Sequence, residues 1–330
     1  MEAISSDGLL CARAVERRSR QIPLSGEEFT RLYRNNRPVI LENHAVEWFC
    51  KEPGKKERLE VIQNLVELDG NVEVLVAKDG KNFLKNRLCL KENMSLRSAL
   101  SYIFETQRLV SDQMEACRDI SCCDGSSADP LEDSCRDTGT VIEHQNEETP
   151  RKYLRLYLDS YPTLGEGIDL NDLVGLAYHE QATGDSPNPT FKQKNVGLWF
   201  SMAGCTTPLH FDICHGFLAQ VVGKKTFLMA PSDDPILRCY WQKDRQNDNG
   251  TTSPINLGLW LECDASVRRR FPLLDEVEWF IATLQDGDTL YTPPGWWHHV
   301  VSESASVSLL LPFDPISKEI HMLPLNVQMA

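Results

Sequence analysis

Between Val196 and Leu311 the apolar positions come in short runs: 196–202, 207–212, 216–222, 225–230, 278–284, 288–292, 298–302 and 306–311. Glycine, proline and acidic residues separate most of these runs. That is the pattern of short strands in a sandwich or barrel rather than of helices. Val222-Gly223-Lys224-Lys225 reads as a hairpin connection. The longer segment 231–277, rich in Pro, Asp and Asn, reads as loops with a short helix.

The first hundred residues mix the two periodicities. Ser25-Gly26-Glu27-Glu28 has capping-box spacing ahead of Phe29 and Leu32-Tyr33, which predicts a short helix. A second helical spacing runs from Glu57 to Leu68 through Leu59, Ile62 and Leu65, and Ser95 is placed to cap a third helix through Leu100 and Phe104. Pro38–Leu41, Val72–Val76 and Tyr153–Leu158 read as strands. Residues 8–11 and the last few of the chain are expected to fray.

Charge changes this picture in one place. From Ser111 to Thr149 there are eleven acidic residues against two basic ones, a net −9 out of the −14 of the whole chain. The segment is also poor in aromatics, so burial offers little to offset the entropy of ordering it, and a disordered acidic insertion is expected. Its Cys117, Cys122, Cys123, Cys135 and His144 lack the paired spacing of a zinc site. The division expected is 1–110 as an N-terminal α/β part, 111–149 as the insertion, 150–314 as the strand-rich domain and 315–330 as a tail. No run approaches the roughly 18 apolar residues of a membrane span. The first residues lack the basic start and apolar stretch of a secretory signal. A soluble intracellular protein, cytoplasmic or nuclear, is therefore expected, with its eleven cysteines mostly free thiols.

The chemistry centres on His210-Phe211-Asp212. Side chains at i and i+2 of a strand share a face, so an imidazole and a carboxylate stand together. Alone, the pair is a weak signal, more often a surface or hydrogen-bonded His beside an Asp than a metal site. A third ligand from a distant strand would make it a facial triad for non-haem Fe(II). Candidates lie in Gly287-Asp288-Thr289-Leu290-Tyr291-Thr292-Pro293-Pro294-Gly295-Trp296-Trp297-His298-His299. Neighbouring strand residues face opposite ways, so one of His298 and His299 faces the metal, and spacing leaves open which.

Pro208–Asp212 and Asp286–His298, in this order, resemble the two metal motifs of the JmjC oxygenases of the cupin superfamily. The resemblance implies a mainly β fold with flanking helices, a double-stranded β-helix or jelly roll. It also implies an Fe(II) enzyme that takes 2-oxoglutarate and O2 as co-substrates and releases succinate and CO2. His298, directly after the aromatic residue, is then the third ligand beside His210 and Asp212. Lys225, fifteen residues after the first ligand, anchors the distal carboxylate of 2-oxoglutarate. Thr207 and Tyr153 supply hydroxyls, and Trp199 lines the pocket. Lys224 is the solvent-facing neighbour. In place of the asparagine that relatives carry near the co-substrate stands Gly216, for which His215 or a water would substitute.

The substrate is less legible. Compactness resembles the JmjC protein hydroxylases, so a protein side chain is the first expectation. Arg37–Glu42 and Leu218–Met229 also resemble JmjC enzymes that hydroxylate a wybutosine-type tRNA base, for which Arg268-Arg269-Arg270 and the loop 240–250 would offer a basic patch against the acidic balance. N-methyl-lysine demethylation follows from the same chemistry, and a non-catalytic cupin-like binding module is the reading from another class. A membrane partner is not expected, and the oligomeric state is left open.

Overall fold

The computed structural model describes residues 2–4, 11–44, 70–78, 82–83, 89–105, 150–161, 170–179, 196–244 and 250–313. Fifteen strands occur in them. The first seven are β1 (Glu2–Ile4), β2 (Cys11–Ala14), β3 (Arg17–Arg18), β4 (Val39–Leu41), β5 (Asn71–Ala77), β6 (Cys89–Ser95) and β7 (Lys152–Tyr157). The others are β8 (Gly197–Ser201), β9 (Thr206–Phe211), β10 (His215–Val222), β11 (Lys225–Ala230), β12 (Trp279–Leu284), β13 (Thr289–Thr292), β14 (Trp297–Ser302) and β15 (Ser306–Phe313). These last eight correspond to the eight apolar runs, each boundary within two residues of the expected one.

They form a jelly roll. Four of them, in the order β12-β11-β14-β9, belong to a six-stranded sheet that β2 and β1 extend. The other four, in the order β13-β10-β15-β8, form the middle of a nine-stranded sheet. β4 and β3 continue it beyond β13, and β7, β5 and β6 continue it beyond β8. The double-stranded β-helix expected from the sequence is therefore the observed architecture. N-terminal strands lengthen its sheets by joining free edges.

Two local expectations are corrected. Val222-Gly223-Lys224-Lys225 is not a hairpin, because β10 and β11 lie in different sheets. Gly223 turns the corner at φ +87°, where a Cβ would come within 2.3 Å of the Ala305 carbonyl. Cys11 is not frayed: β2 pairs in parallel with β12, Ala12 opposite Trp279, and so uses the hydrogen-bonding edge of β12. Residues 8–10, the helical spacing of 57–68, the acidic stretch 111–149 and residues 314–330 lie outside the described residues.

Helices cover the outer faces of both sheets. Gly26–Leu32 is capped by the Ser25 hydroxyl, which accepts from the Glu28 amide at 3.1 Å. The helix 96–105 is capped in the same way by Ser95, from Ser98 at 3.1 Å. With Asn171–Ala177 they bury Phe29, Tyr33, Leu96, Leu100, Ile103 and Leu173 against Leu198, Phe200, Phe217, Leu309 and Leu311 of the nine-stranded sheet. Over the six-stranded sheet lie Pro235–Asp244, Leu257–Leu261 and Ala265–Arg270, so the 231–277 segment holds three α-helices among its described residues, and residues 240–244 of the expected loop are helical. The aromatic content explains why. Trp241, Trp260, Phe271 and Leu274 bury Phe211, Trp279 and Trp297, with Phe211 edge-on to Trp241 at 5.3 Å and to Trp297 at 4.8 Å. Burial of such a side chain contributes roughly 1.5–3 kcal/mol. The basic run ends the third of these helices, and Arg268 is committed to the Trp260 ring at 4.7 Å.

Between the sheets the filling is uneven. At one end Phe227, Met229, Ala282, Leu284, Leu290 and Trp296 close a dry core. The other end is open, and polar side chains there face a cavity with a largely apolar wall.

Candidate active site

β9 and β14 are adjacent and antiparallel, with His210 directly opposite His298. Their rings stand 4.1 Å apart, centroid to centroid. Asp212 follows the last residue of β9, and its Oδ2 lies 3.8 Å from His298 Nε2. One ligand atom from each of the three residues falls within 4.8 Å of the others. Strand alternation decides between the paired histidines: His298 faces the cavity, and His299, opposite Leu228, is buried on the other face. Gly295, at φ +79°, turns the chain into β14 and donates its amide to the Asp212 carbonyl at 2.7 Å. The two halves of the cluster are thereby tied through the main chain.

The imidazoles are oriented before any metal arrives. His210 Nδ1 donates to the Pro208 carbonyl at 2.8 Å, and His298 Nδ1 donates to the Trp296 carbonyl at 3.0 Å. Each Nε2 is left as the ligating atom, the tautomer that metal-binding histidines require. Burial, and then the neighbouring His298, push His210 down to about 3, so the ring is neutral at physiological pH. Asp212 has its side chain half exposed at the cavity mouth.

A cavity of about 540 Å³ opens in front of the cluster. Lys225, Thr207, Tyr153 and Trp199 all line it, so every residue expected at the site faces one space. Thr207 and His210 are three apart, which a regular strand would send to opposite faces. A bulge resolves this, because Thr207-to-His210 is matched by the two-residue step Val300-to-His298. Lys225 is 3% exposed, and its ammonium has no hydrogen-bond acceptor among the described residues. Burial pulls it down to about 8, with Arg155 adding to the fall and Cys205 opposing it. Tyr153 is buried edge-on to Trp199 at 6.0 Å, and burial raises its hydroxyl above the ordinary tyrosine range.

At the position where an asparagine was expected, a Cβ on Gly216 would meet nothing within 4 Å. The adjacent His215 is held in the wall: its Nδ1 is hydrogen-bonded to the Tyr291 hydroxyl at 2.8 Å and its ring stacks on Phe313 at 4.7 Å. Lys224 pairs with Glu303 at 2.9 Å on the surface, as expected of the outward neighbour of Lys225.

Arg155, Thr251 and Thr252 are among the residues of the cavity wall that were not singled out from the sequence. Arg155 lines it, two residues beyond Tyr153, and the alternation of β7 could have shown it. Thr251 and Thr252 line it from the helical insertion: Thr252 bridges to His210, and Phe211 donates its amide to the Thr251 carbonyl at 3.1 Å. No local pattern marks a contact between positions so far apart.

The profile of the cupin-like domain family matches residues 25–319. The chain belongs to this family. Among the curated relatives of this cupin-like domain is the Lysine-specific demethylase JMJ30 of Arabidopsis thaliana, 35% identical over 116 residues, which are 35% of this chain and 25% of that protein. Jumonji C domain-containing protein 5 of Drosophila melanogaster is 32% identical over 149 residues, 45% of this chain and 32% of that protein. The tRNA wybutosine-synthesizing protein 5 of Gallus gallus is 32% identical over 110 residues, 33% of this chain and 30% of that protein. The matched region thus spans a quarter to a third of the length of these relatives. The cupin-like domain is of the JmjC kind, and the cofactors of that kind are Fe(II), 2-oxoglutarate and O2. Two oriented imidazoles, one carboxylate and a buried lysine without an acceptor among the described residues fit that set.

Proposed function

We propose that this chain is an Fe(II)- and 2-oxoglutarate-dependent dioxygenase that hydroxylates a side chain of a protein substrate. One observation carries the reading: three metal-ligand side chains and a buried ammonium without an acceptor among the described residues face the same cavity. A ferrous ion would be held by His210, Asp212 and His298, which leaves coordination positions for co-substrates. When bound, the metal would let O2 oxidise 2-oxoglutarate to succinate and CO2, one oxygen atom entering succinate and the other a C–H bond of the substrate.

The residues of the chain do the rest. The Pro208 and Trp296 carbonyls fix the two imidazoles with Nε2 free to ligate, so metal binding asks for no tautomer change. Lys225 receives a carboxylate in a low-dielectric wall, where the charge pair is stronger than in water, and Thr207 and Tyr153 offer hydroxyls to the same ligand. Phe227, Val300 and Leu310 keep that end of the cavity dry.

A second reading has support of its own: similarity to the tRNA wybutosine-synthesizing protein 5 favours hydroxylation of a modified tRNA base. Similarity to proteins named lysine-specific demethylases brings N-methyl-lysine oxidation into the same set. A non-catalytic binding module is disfavoured by the complete donor set and by Lys225. Protein, cytoplasm or nucleus, and an iron-bound state are all part of this proposal. Anaerobic reconstitution with Fe(II) and titration with 2-oxoglutarate tests it. A metal-to-ligand charge-transfer band is expected in the wild type and none in His298→Ala; a folded wild type without a band would overturn the enzyme reading.

A further inference from the structure

β7 presents Tyr153, Arg155 and Tyr157 to the cavity side, at i, i+2 and i+4, while Leu154 and Leu156 enter the core. Arg155 sits directly across from Trp199 on β8. Its guanidinium lies over the Trp199 ring at 4.5 Å and over the Tyr153 ring at 5.3 Å. The group is a fixed, flat cation with its aromatic faces satisfied and its hydrogen-bonding edge poorly used. Its Nε is buried without a partner, Nη2 reaches the Phe83 carbonyl at 3.5 Å, and the Tyr153 hydroxyl is its one side-chain hydrogen-bonding neighbour among the described residues. Among the described residues no carboxylate neutralises it. Glu73, across the adjoining groove that Arg155 also borders, is paired with Lys91 at 2.9 Å.

The charge count of the cavity makes this significant. Among the described residues its lining contains one carboxylate, Asp212, and two cations in no ion pair, Lys225 and Arg155. In the proposed loaded state the ferrous ion and Lys225 balance Asp212 and the two carboxylates of 2-oxoglutarate. Arg155 remains over, with no second acidic residue among the described lining residues to host a cationic side chain. A lysine, methyl-lysine or arginine entering this space would meet uncompensated like charge in a partly dry site, which is the repulsive element by which sites reject substrates. A carboxylate would instead pair with an oriented guanidinium, a strong and geometrically selective contact.

We propose that Arg155 is a specificity-determining residue and that the primary substrate is a protein segment presenting an aspartate or glutamate side chain to it. This rests on the protein-hydroxylase reading above. A peptide is favoured over RNA because the chain carries −14 overall, which repels a polyanion, whereas one carboxylate needs only one cation.

The test uses the full chain under argon, loaded with Fe(II) and 2-oxoglutarate, and two fluorescein-labelled pools of seven-residue peptides. The pools have uncharged random flanks and a fixed centre, Asp or Glu in one and Lys or trimethyl-lysine in the other. Anisotropy should show the acidic-centred pool binding about tenfold tighter or more, the range of a charge-assisted hydrogen bond. Arg155→Lys should keep the preference and Arg155→Glu should invert it; should Arg155→Glu not fold, Arg155→Gln should abolish it. Equal binding of the pools, a lysine preference, or an acidic preference that survives in Arg155→Glu or Arg155→Gln overturns the proposal. So does displacement of both pools by short single-stranded RNA that depends on Arg155. The charge-transfer band recorded on the same samples separates the failures: no band removes the oxygenase reading, whereas a band without the preference removes only this inference.

Discussion

The six-stranded sheet brings His210, His298, Thr207 and Lys225 to the cavity, with Asp212 at its rim, whereas the nine-stranded sheet brings Tyr153, Arg155, Trp199 and His215. The first set is held by its own backbone: imidazole to carbonyl, a bulge, and a glycine turn. The second is held by ring contacts between neighbouring side chains. Backbone fixation leaves little freedom to change the ligand set without changing the fold. Ring packing can exchange one side chain for another of like volume. A site that must keep its chemistry while varying its substrate gains from that division, since function is carried by sites rather than by the scaffold.

The largest test of the division is removal of a ligand. His210→Ala or Asp212→Ala should each abolish iron retention and the charge-transfer band, with a thermal unfolding midpoint close to wild type, because the deleted groups are not core packing. His299→Ala should leave the band in place. Metal retained in the two former variants, by elemental analysis after desalting, would show that the six-stranded sheet is not the metal-holding one.

Next in size is Lys225→Ala. A buried charge-assisted contact is worth roughly 1.5–3 kcal/mol, so 2-oxoglutarate affinity should fall by about one to two orders of magnitude while iron stays bound. Unchanged affinity would move the anchor elsewhere, and Arg155 on the opposite sheet would be the first place to look.

The two sheets also meet electrostatically. Lys225 is pulled down to about 8, chiefly by burial and then by Arg155. Its cation, which the bound carboxylate needs, is therefore half lost in the free protein near that pH. 2-Oxoglutarate affinity should be flat below about pH 7 and weaken above pH 8, by up to about tenfold per unit. Taking away the guanidinium in Arg155→Gln should move that fall to higher pH. A fall at the same pH in both proteins would mean that the sheets do not influence each other across the cavity.

Legibility from the sequence follows the same line. The strands were readable because short apolar runs, buried on both faces, are cut apart by turn residues, and His210, Asp212 and Lys225 because local strand spacing and a family resemblance coincide there. His298 against His299 was a one-residue question that alternation on a real strand answered. Arg155 was readable in principle from Tyr153, but a lone arginine in a strand looks like a solvated face until its partner Trp199 is known. Thr251 and Thr252 were not readable, since they reach the cavity through a helical insertion whose path only packing fixes. The supposed hairpin at Gly223 failed because a glycine turn looks the same whether it closes a ribbon or crosses between sheets.

The smallest expected effect lies at Gly216, on β10 of the nine-stranded sheet. An added Cβ meets nothing within 4 Å, and the backbone there is not in the left-handed region, so Gly216→Asn should fold without strain. The amide would stand in the cavity near the groups assigned to 2-oxoglutarate. One neutral hydrogen bond contributes about 0.5–1.5 kcal/mol net, which predicts an affinity gain of roughly two- to tenfold in the same titration. A gain would mean that the nine-stranded sheet takes part in holding the co-substrate and that glycine leaves this contact unmade. No change, with turnover of the primary substrate reduced, would place the space above Gly216 on the substrate side. The boundary between chemistry and recognition would then run between the two sheets themselves.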